Sequence, residues 1–278
     1  MTSLPVREEK TSINSSVRVN ITCTPRVELC RVCGSFKEIA EMFRIVYRKK
    51  DYYPEFVQVT SLSESDLKIV REILKRRHSS VLEFINTLWF VECSRVATHE
   101  IVRHRIASYW QESQRYCISV GFLLPRSLLK YSDIVKFLET SYEKYRELIN
   151  LEKCRSFGED AKQYIRYILP NATLARIFIQ MNLRELAEVF LPLRMCRRAQ
   201  AELRYIAIKM YLKITELFPE LANFTGPRCI IYGRCPEFGF ESPEEMRKCR
   251  VAGYIEAFQE HGTEDEISRL DEILAKLP

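Results

Sequence analysis

Residues 81–116 read VLEFINTLWFVECSRVATHEIVRHRIASYWQESQRY, and this stretch combines both kinds of regular structure with the densest chemistry of the chain. Residues 81–93 are aromatic and β-branched and lack Gly and Pro, a composition that predicts a strand. Ser94 follows as the N-cap of a helix running to about Arg103. Arg103, His104 and Arg105 then fall at the helix C-terminus, where cations suit the macrodipole. Residues 106–116 are expected to leave as a loop, the usual seat of binding residues on a rigid frame. Guanidinium forks hold phosphate oxygens in pairs and stack on flat rings, so arginines beside aromatics and amides suit a phosphorylated, planar ligand.

Outward from this stretch, helical patterning dominates. Residues 17–23 alternate weakly and predict a first strand, after a frayed leader over 1–16. Helices are expected over 34–49, over 63–77 with Ser63 or Ser65 as cap, over 132–151, and over 160–169 before Pro170. Asn182-Leu183-Arg184-Glu185 resembles a capping box and opens a helix to about Phe190. A long helix covers 197–218 and ends at Pro219. The tail from Gly226 holds Pro, Gly and three cysteines before a short final helix to Leu277. No repeat or linker divides the chain, so 1–278 is read as one catalytic domain with a flexible leader (1–16) and a cysteine-containing extension (226–278).

With 46% hydrophobic and 29% charged residues the chain belongs to the globular class. No run reaches the roughly 18 apolar residues of a membrane span, and the polar start lacks a signal-peptide core, so a cytoplasmic protein without a membrane partner is expected. The net charge of +6 gathers in knots at 48–50, 75–77, 103–105 and Arg194, Arg197 and Arg198. Such knots are more often solvated faces than a nucleic-acid footprint. The eight glycines form neither GxGxxG nor a Walker loop, so any phosphate must be held mainly by side chains. Among ten cysteines, Cys30 and Cys33 make the only CxxC pair. Zinc would need two more ligands, with Cys229 and Cys235 as candidates, but their gap is wider than structural zinc favours. Buried, inert thiols are the preferred reading and no metal is expected.

Arg103-His104-Arg105, seven residues and then Ser113 resembles the RHR-x7-S signature of the flavin-dependent thymidylate synthases, extended here by Gln114-Arg115-Tyr116. His78-Ser79-Ser80-Val81-Leu82-Glu83, Arg166-Tyr167-Ile168-Leu169-Pro170, Asn182-Leu183-Arg184-Glu185-Leu186, and Leu193-Arg194 followed by Arg198-Ala199-Gln200-Ala201-Glu202 are similar to further elements of that family, in its order. Gly226-Pro227-Arg228-Cys229 and Gly233-Arg234-Cys235-Pro236 also look familial.

The resemblance implies an α+β fold, an antiparallel sheet with long packed helices, assembled as a homotetramer with shared active sites. It implies methylation of dUMP to dTMP with methylenetetrahydrofolate as carbon donor, FAD as cofactor and NADPH as reductant. Arg194, Ser113 and His78 would serve catalysis. Glu100, Arg103, Gln111, Ser113, Gln114, Arg115, Arg166 and Arg194 would hold dUMP, with Arg194 at the uracil edge, where a cation stabilises charge on the activated ring. Ser80, Arg103, His104, Arg105, Ile106, Gln111, Asn182, Arg184, Glu188 and Arg198 would contact FAD. Ser113 is read as a phosphate donor, since no base is paired with it in sequence.

The chain departs from the pattern at Glu100, where glutamine is common, and at Trp110, where a small or polar residue is. It departs also at Glu188, at Ala201, and by one added residue at Leu191-Pro192. Two rival readings are a nucleotide-binding relative without catalysis, and a basic single-stranded nucleic-acid-binding protein stacking bases on Trp110 and Tyr116. Nucleic acid is not the expected partner.

Overall fold

The computed structural model describes residues 19–47, 61–151 and 161–278. The expected leader over 1–16, the basic knot at 48–50 and Cys154 lie outside the described residues.

Local signals fix the helices. Ser35 accepts from Glu38 N–H and Glu38 answers at the Ser35 N–H, a capping box that starts α1 (Phe36–Val46). Ser63 and Asp66 form another at α2 (Glu64–Lys75), which decides between the two serines. After α2 the strand expected over 81–93 divides. Ser79–Phe84 is a 3₁₀ turn, and the strand proper, Asn86–Ser94, begins only at Asn86.

Four antiparallel strands form the main sheet: β2 (Arg26–Cys33), β3 (Asn86–Ser94), β4 (Ala107–Gln111) and β6 (Leu174–Asn182), in spatial order β2-β3-β6-β4. Alternation sends Thr87, Trp89, Val91 and Cys93 to one face, opposite Met181, Ile179, Ile177 and Ala175 of β6, all of them buried. Trp89 completes its polar needs there by donating Nε1 to Thr87 Oγ1 at 2.9 Å. A smaller parallel pair joins β1 (Asn20–Thr22) to β5 (Gly121–Leu123). Gly121 is necessary here, because a Cβ would lie 2.1 Å from the Asn20 carbonyl oxygen.

Two expectations are corrected by this sheet. Residues 107–111, read as loop, are an edge strand paired to β6 from Ala107↔Met181 to Gln111↔Ile177. The central strand β6 and strand β2 carry no expectation from the sequence reading, and β2 contains the CxxC pair. Cys30 and Cys33 are exposed on that edge strand and Cys117 is exposed in the loop after β4, so among the described cysteines the reading as buried holds fully only for Cys93.

Helices cover the buried face. α3 (Arg95–Ile101) starts at the expected cap, with Ser94 Oγ accepting from Ala97 N–H at 3.1 Å. After β5 come α4 (Arg126–Leu129), α5 (Ser132–Asn150) and α6 (Ala161–Ile165), the last running into a 3₁₀ turn, Arg166–Ile168. Phe122, Leu138, Tyr142 and Tyr145 form a satellite core between α5 and β5. After β6 the chain makes a π-helix, Glu185–Phe190, and then α7 (Leu191–Arg194). The helix α8 (Ala201–Leu217) is buried around most of its circumference, from Glu202 to Ile208 without a break. The tail holds α9 (Arg228–Tyr232), the long α10 (Pro243–His261) packed on α8, and α11 (Glu264–Ser268), besides the expected short final helix, α12 (Leu270–Leu274).

Candidate active site

One cluster forms where α3, β4, the π-helix and α7 meet. Arg194 donates Nε to Nε2 of His104 at 3.0 Å, NH1 to the Glu100 carboxylate at 2.7 Å and NH2 to the Glu100 carbonyl at 2.9 Å. Its side chain is only 16% exposed, so three contacts fix the direction of the guanidinium plane. The carboxylate of Glu100, a departure that would repel a substrate phosphate, is thus paired with a cation.

His104 is buried against the Phe190 ring at 4.8 Å. Burial first, then the Arg194 charge, pushes its pKa down to about 4, while Glu100 opposes the shift. A neutral ring that accepts at Nε2 carries its proton on Nδ1, which lies 3.5 Å from Glu185 Oε1. That distance is within ion-pair range, but the depressed pKa makes the contact one between a neutral imidazole and a carboxyl. Burial raises the pKa of Glu185. Tyr109 closes the group, donating its hydroxyl to the carbonyls of His104 at 2.6 Å and Ile101 at 3.0 Å; burial pushes it up to about 12.

The π-helix leads the chain to Arg194. A π turn takes up one residue more than an α turn, and here Leu191 N–H bonds back to Leu186 C=O. Leu191-Pro192, read from the sequence as adding one residue, follows directly on this π segment, and Arg194 still faces His104. The helix expected to open at Asn182 therefore has π geometry, although Asn182 Oδ1 does accept from Glu185 N–H at 2.8 Å, as a cap would.

A second cluster lies one π turn along. Glu188 accepts from Ser79 Oγ at 2.9 Å and from Arg184 Nε at 3.1 Å, and Arg184 also reaches Glu83 on the 3₁₀ turn. Ser80 and His78 are exposed on that turn. His78 stands where the backbone turns: Arg77 before it has φ of 57°, the one non-glycine residue with positive φ among those described.

The remaining expected residues are dispersed around these clusters. Arg103, Arg105 and Ile106 are exposed on the turn between α3 and β4. Gln111 donates to Thr98 Oγ1 at 3.1 Å, which ties β4 to α3. Ser113 Oγ accepts from Arg115 N–H at 3.2 Å within a turn that also contains Gln114. Arg166 donates to Gln163 C=O at 3.2 Å and lies close enough to Arg95 to lower its pKa, after burial. Arg198 is exposed and sits over the Phe238 ring at 5.6 Å.

Sequence reasoning passed over Tyr109, Glu185, Ser79 and Glu83, which orient the expected residues. Glu83 had a signal, its place in the 78–83 segment. Glu185 had only the capping-box spacing, which pointed to a different role.

The family model described as "Thymidylate synthase complementing protein" matches residues 28–220. The chain belongs to the flavin-dependent thymidylate synthase family. It is 40% identical over 205 residues to the flavin-dependent thymidylate synthase of Pyrococcus furiosus, covering 68% of this chain and 81% of that one. To the enzyme of the same description from Pyrobaculum aerophilum it is 32% identical over 243 residues, covering 86% and 92%. In fold it is similar to a crystallised UMP/dUMP methylase, PolB, from Streptomyces cacaoi bound with 5-Br dUMP: TM-score 0.59 at 21% identity, over 73% of this chain and 95% of that one. The protein is therefore an enzyme of α+β fold, and neither the nucleic-acid-binding nor the non-catalytic reading gains support from its relatives.

A cleft of about 530 Å³ lies between α2 and the end of α8 and is lined by Arg71, Lys75, Arg77 and Phe224. None of the expected site residues lines it.

Proposed function

We propose that the protein converts dUMP to dTMP by reductive methylation, with methylenetetrahydrofolate as carbon donor. The observation that supports this best is Arg194, a cation fixed by Glu100 and a neutral His104. Placed at the uracil edge, that guanidinium would stabilise negative charge as the ring is activated, and because it is already oriented, no reorganisation is needed at that moment. Ser113, Gln114, Arg115 and Arg166, with Arg103, Gln111 and Glu100, would hold the nucleotide, the arginines meeting its phosphate as paired forks. His78 would face the reacting rings from the 3₁₀ turn.

FAD, reduced by NADPH, supplies the hydride when bound. The residues present fit such a group: Arg103 and Arg105 are exposed, and among the described residues neither has a carboxylate partner. A pyrophosphate needs such cations where no glycine loop exists. His104 and Ile106 of the same turn, Gln111, Ser80, Asn182, Arg184, Glu188 and Arg198 would complete the contact. Arg184 is held between Glu83 and Glu188, so its fork is already aimed.

The single catalytic domain would work as a homotetramer in the cytoplasm, with sites shared between chains. The outer face of the sheet supports self-association: Trp110 is 79% exposed and Phe178 38%, the two rings stacked at 6.4 Å, with Leu88 beside them. No helix among the described residues is long and apolar enough to cross a membrane.

Tritium release from labelled dUMP, with methylenetetrahydrofolate, FAD and NADPH supplied, tests the reading. Release with flavin-loaded protein supports it. Its absence from flavin-loaded protein would overturn it in favour of a nucleotide-binding relative.

A further inference from the structure

Four cysteines that the reaction does not use converge in the tertiary structure. Cys196 follows α7, Cys229 lies on α9, Cys235 follows α9, and Cys249 lies on α10; all four line one enclosed space of about 20 Å³. The pair once considered with them, Cys30 and Cys33, is exposed on β2 and does not line this space.

We propose that Cys196, Cys229, Cys235 and Cys249 form a four-thiolate site for a soft metal centre, a zinc ion or an iron–sulfur cluster, which fastens the C-terminal extension to the corner carrying Arg194 and Arg198.

Three observations besides convergence support it. First, Cys235 opens a turn whose amides fold back on its sulfur, with Phe238 N–H 3.3 Å from Sγ. Gly239 at φ of 69° permits that turn. Amides aimed at sulfur stabilise a thiolate and orient it as a metal ligand.

Second, cations surround the thiols. Arg250 NH1 lies 3.7 Å from Cys229 Sγ, while the buried Nε of Arg250 has no hydrogen-bond partner. Arg197 and Arg228 line the same space, Arg228 paired with Glu237 at 2.8 Å and Arg197 3.9 Å from Glu256. Four thiolates on a divalent ion, or on a cluster of the same charge, leave two negative charges, which Arg250 beside Cys229 would offset in part.

Third, α10 packs closely against Arg197, the residue after Cys196. Gly253 faces Arg197, and a Cβ at Gly253 would lie 3.0 Å from Arg197 Cβ. The remaining wall is apolar, with Phe238, Phe240 and Met246, the dry setting in which thiolate–metal bonds persist.

Among the described residues no three such donors stand as close as a bound ion would hold them, so the thiols must rotate inward to the metal–sulfur distance of about 2.3 Å that zinc requires. As four metal–sulfur bonds form, four thiol protons leave to solvent, whether the arriving group is an aqueous divalent ion or a preassembled cluster.

The test is elemental analysis of the full chain, purified anaerobically under reducing conditions, together with acid-labile sulfide. About one zinc per chain, or iron and sulfide in equal amounts, supports the site and tells the two occupants apart. Cys229→Ser and Cys249→Ser should lower bound metal at least tenfold, while the double variant Cys30→Ser/Cys33→Ser should retain it. Should the first pair fold poorly, the wild-type chain stripped by a chelator should take up added Zn²⁺ with shielding of four thiols from a native-state thiol reagent. Metal-free wild-type protein that takes up neither Zn²⁺ nor a reconstituted cluster would overturn the proposal. So would equal metal loss in the Cys30/Cys33 variant. Metal content is read without reference to dTMP formation, so this proposal and the proposed activity fail separately.

Discussion

Arg194 donates through Nε to Nε2 of His104 at 3.0 Å, a contact the ring can accept only as neutral imidazole. The pair joins two motifs 90 residues apart in the chain and makes each the other's positioning device.

If Arg194 acts at the uracil edge, its geometry matters as well as its charge. Arg194→Lys keeps the cation and loses the fork held by Glu100. We expect dTMP formation to fall by about 10²–10³-fold, the size of loss typical for one transition-state donor, with an unchanged circular dichroism spectrum. Wild-type turnover in this variant would remove Arg194 from the mechanism.

The buried neutral His104 links stability to pH. Its folded pKa, about 4, is below the ordinary value of 6.5. Between those values the unfolded chain binds the proton and the folded chain does not, so stability is complete above about pH 6.5 and declines as pH falls toward 4. His261, which burial also lowers, adds in the same direction. Urea midpoints at pH 7 and pH 4.5 should differ less in His104→Asn than in wild type; an equal difference would assign the dependence elsewhere.

Glu202 is buried and accepts from Ser94 N–H at 2.8 Å and Ser94 Oγ at 2.7 Å, while Ser94 Oγ also caps α3. Ser94→Ala removes the cap and one partner of a buried carboxyl. The expected cost is about 1–3 kcal/mol, measured by denaturant unfolding. Loss of under about 0.3 kcal/mol would show that water or a neighbour takes over both roles, since either deletion alone exceeds that.

The exposed ring of Trp110 offers a test of assembly. On the proposed interface Trp110→Asp places a charge against apolar surface, and light scattering should show dissociation to a smaller species with turnover falling in parallel. An unchanged assembly would put the interface on another face.

Arg184, held between Glu83 and Glu188, should matter to flavin retention. Arg184→Ala is expected to weaken FAD binding about tenfold or more, the effect of losing one charge-assisted fork. Flavin absorbance after gel filtration measures it directly.

Much of the local order was legible in the sequence. Ser63, Ser94 and Asn182 signal their turns because capping depends on residues within one turn of the chain. The helix at Ser132–Asn150 is legible for the same reason, its apolar spacing being a local property. The edge strand β4 was not: Ala107-Ser108-Tyr109-Trp110-Gln111 becomes a strand because β6 lies beside it, 70 residues away in sequence. Nor was the π turn, which looks like an ordinary capped helix until the position of Arg194 has to be met.

The sequence by itself determined the candidates for the chemistry: the motif 103–115, the arginines at 166, 184, 194 and 198, and the absence of a glycine cradle. Those are matters of residue type and spacing along the chain. Only the tertiary structure decided which of them meet. It paired Arg194 with Glu100 and a desolvated His104, set Glu188 between Ser79 and Arg184, and separated Cys30 and Cys33 from the cysteines of the tail. Burial and charge proximity act through space, and the contacts they govern here join segments about 100 residues apart, so spacing along the chain could not supply them.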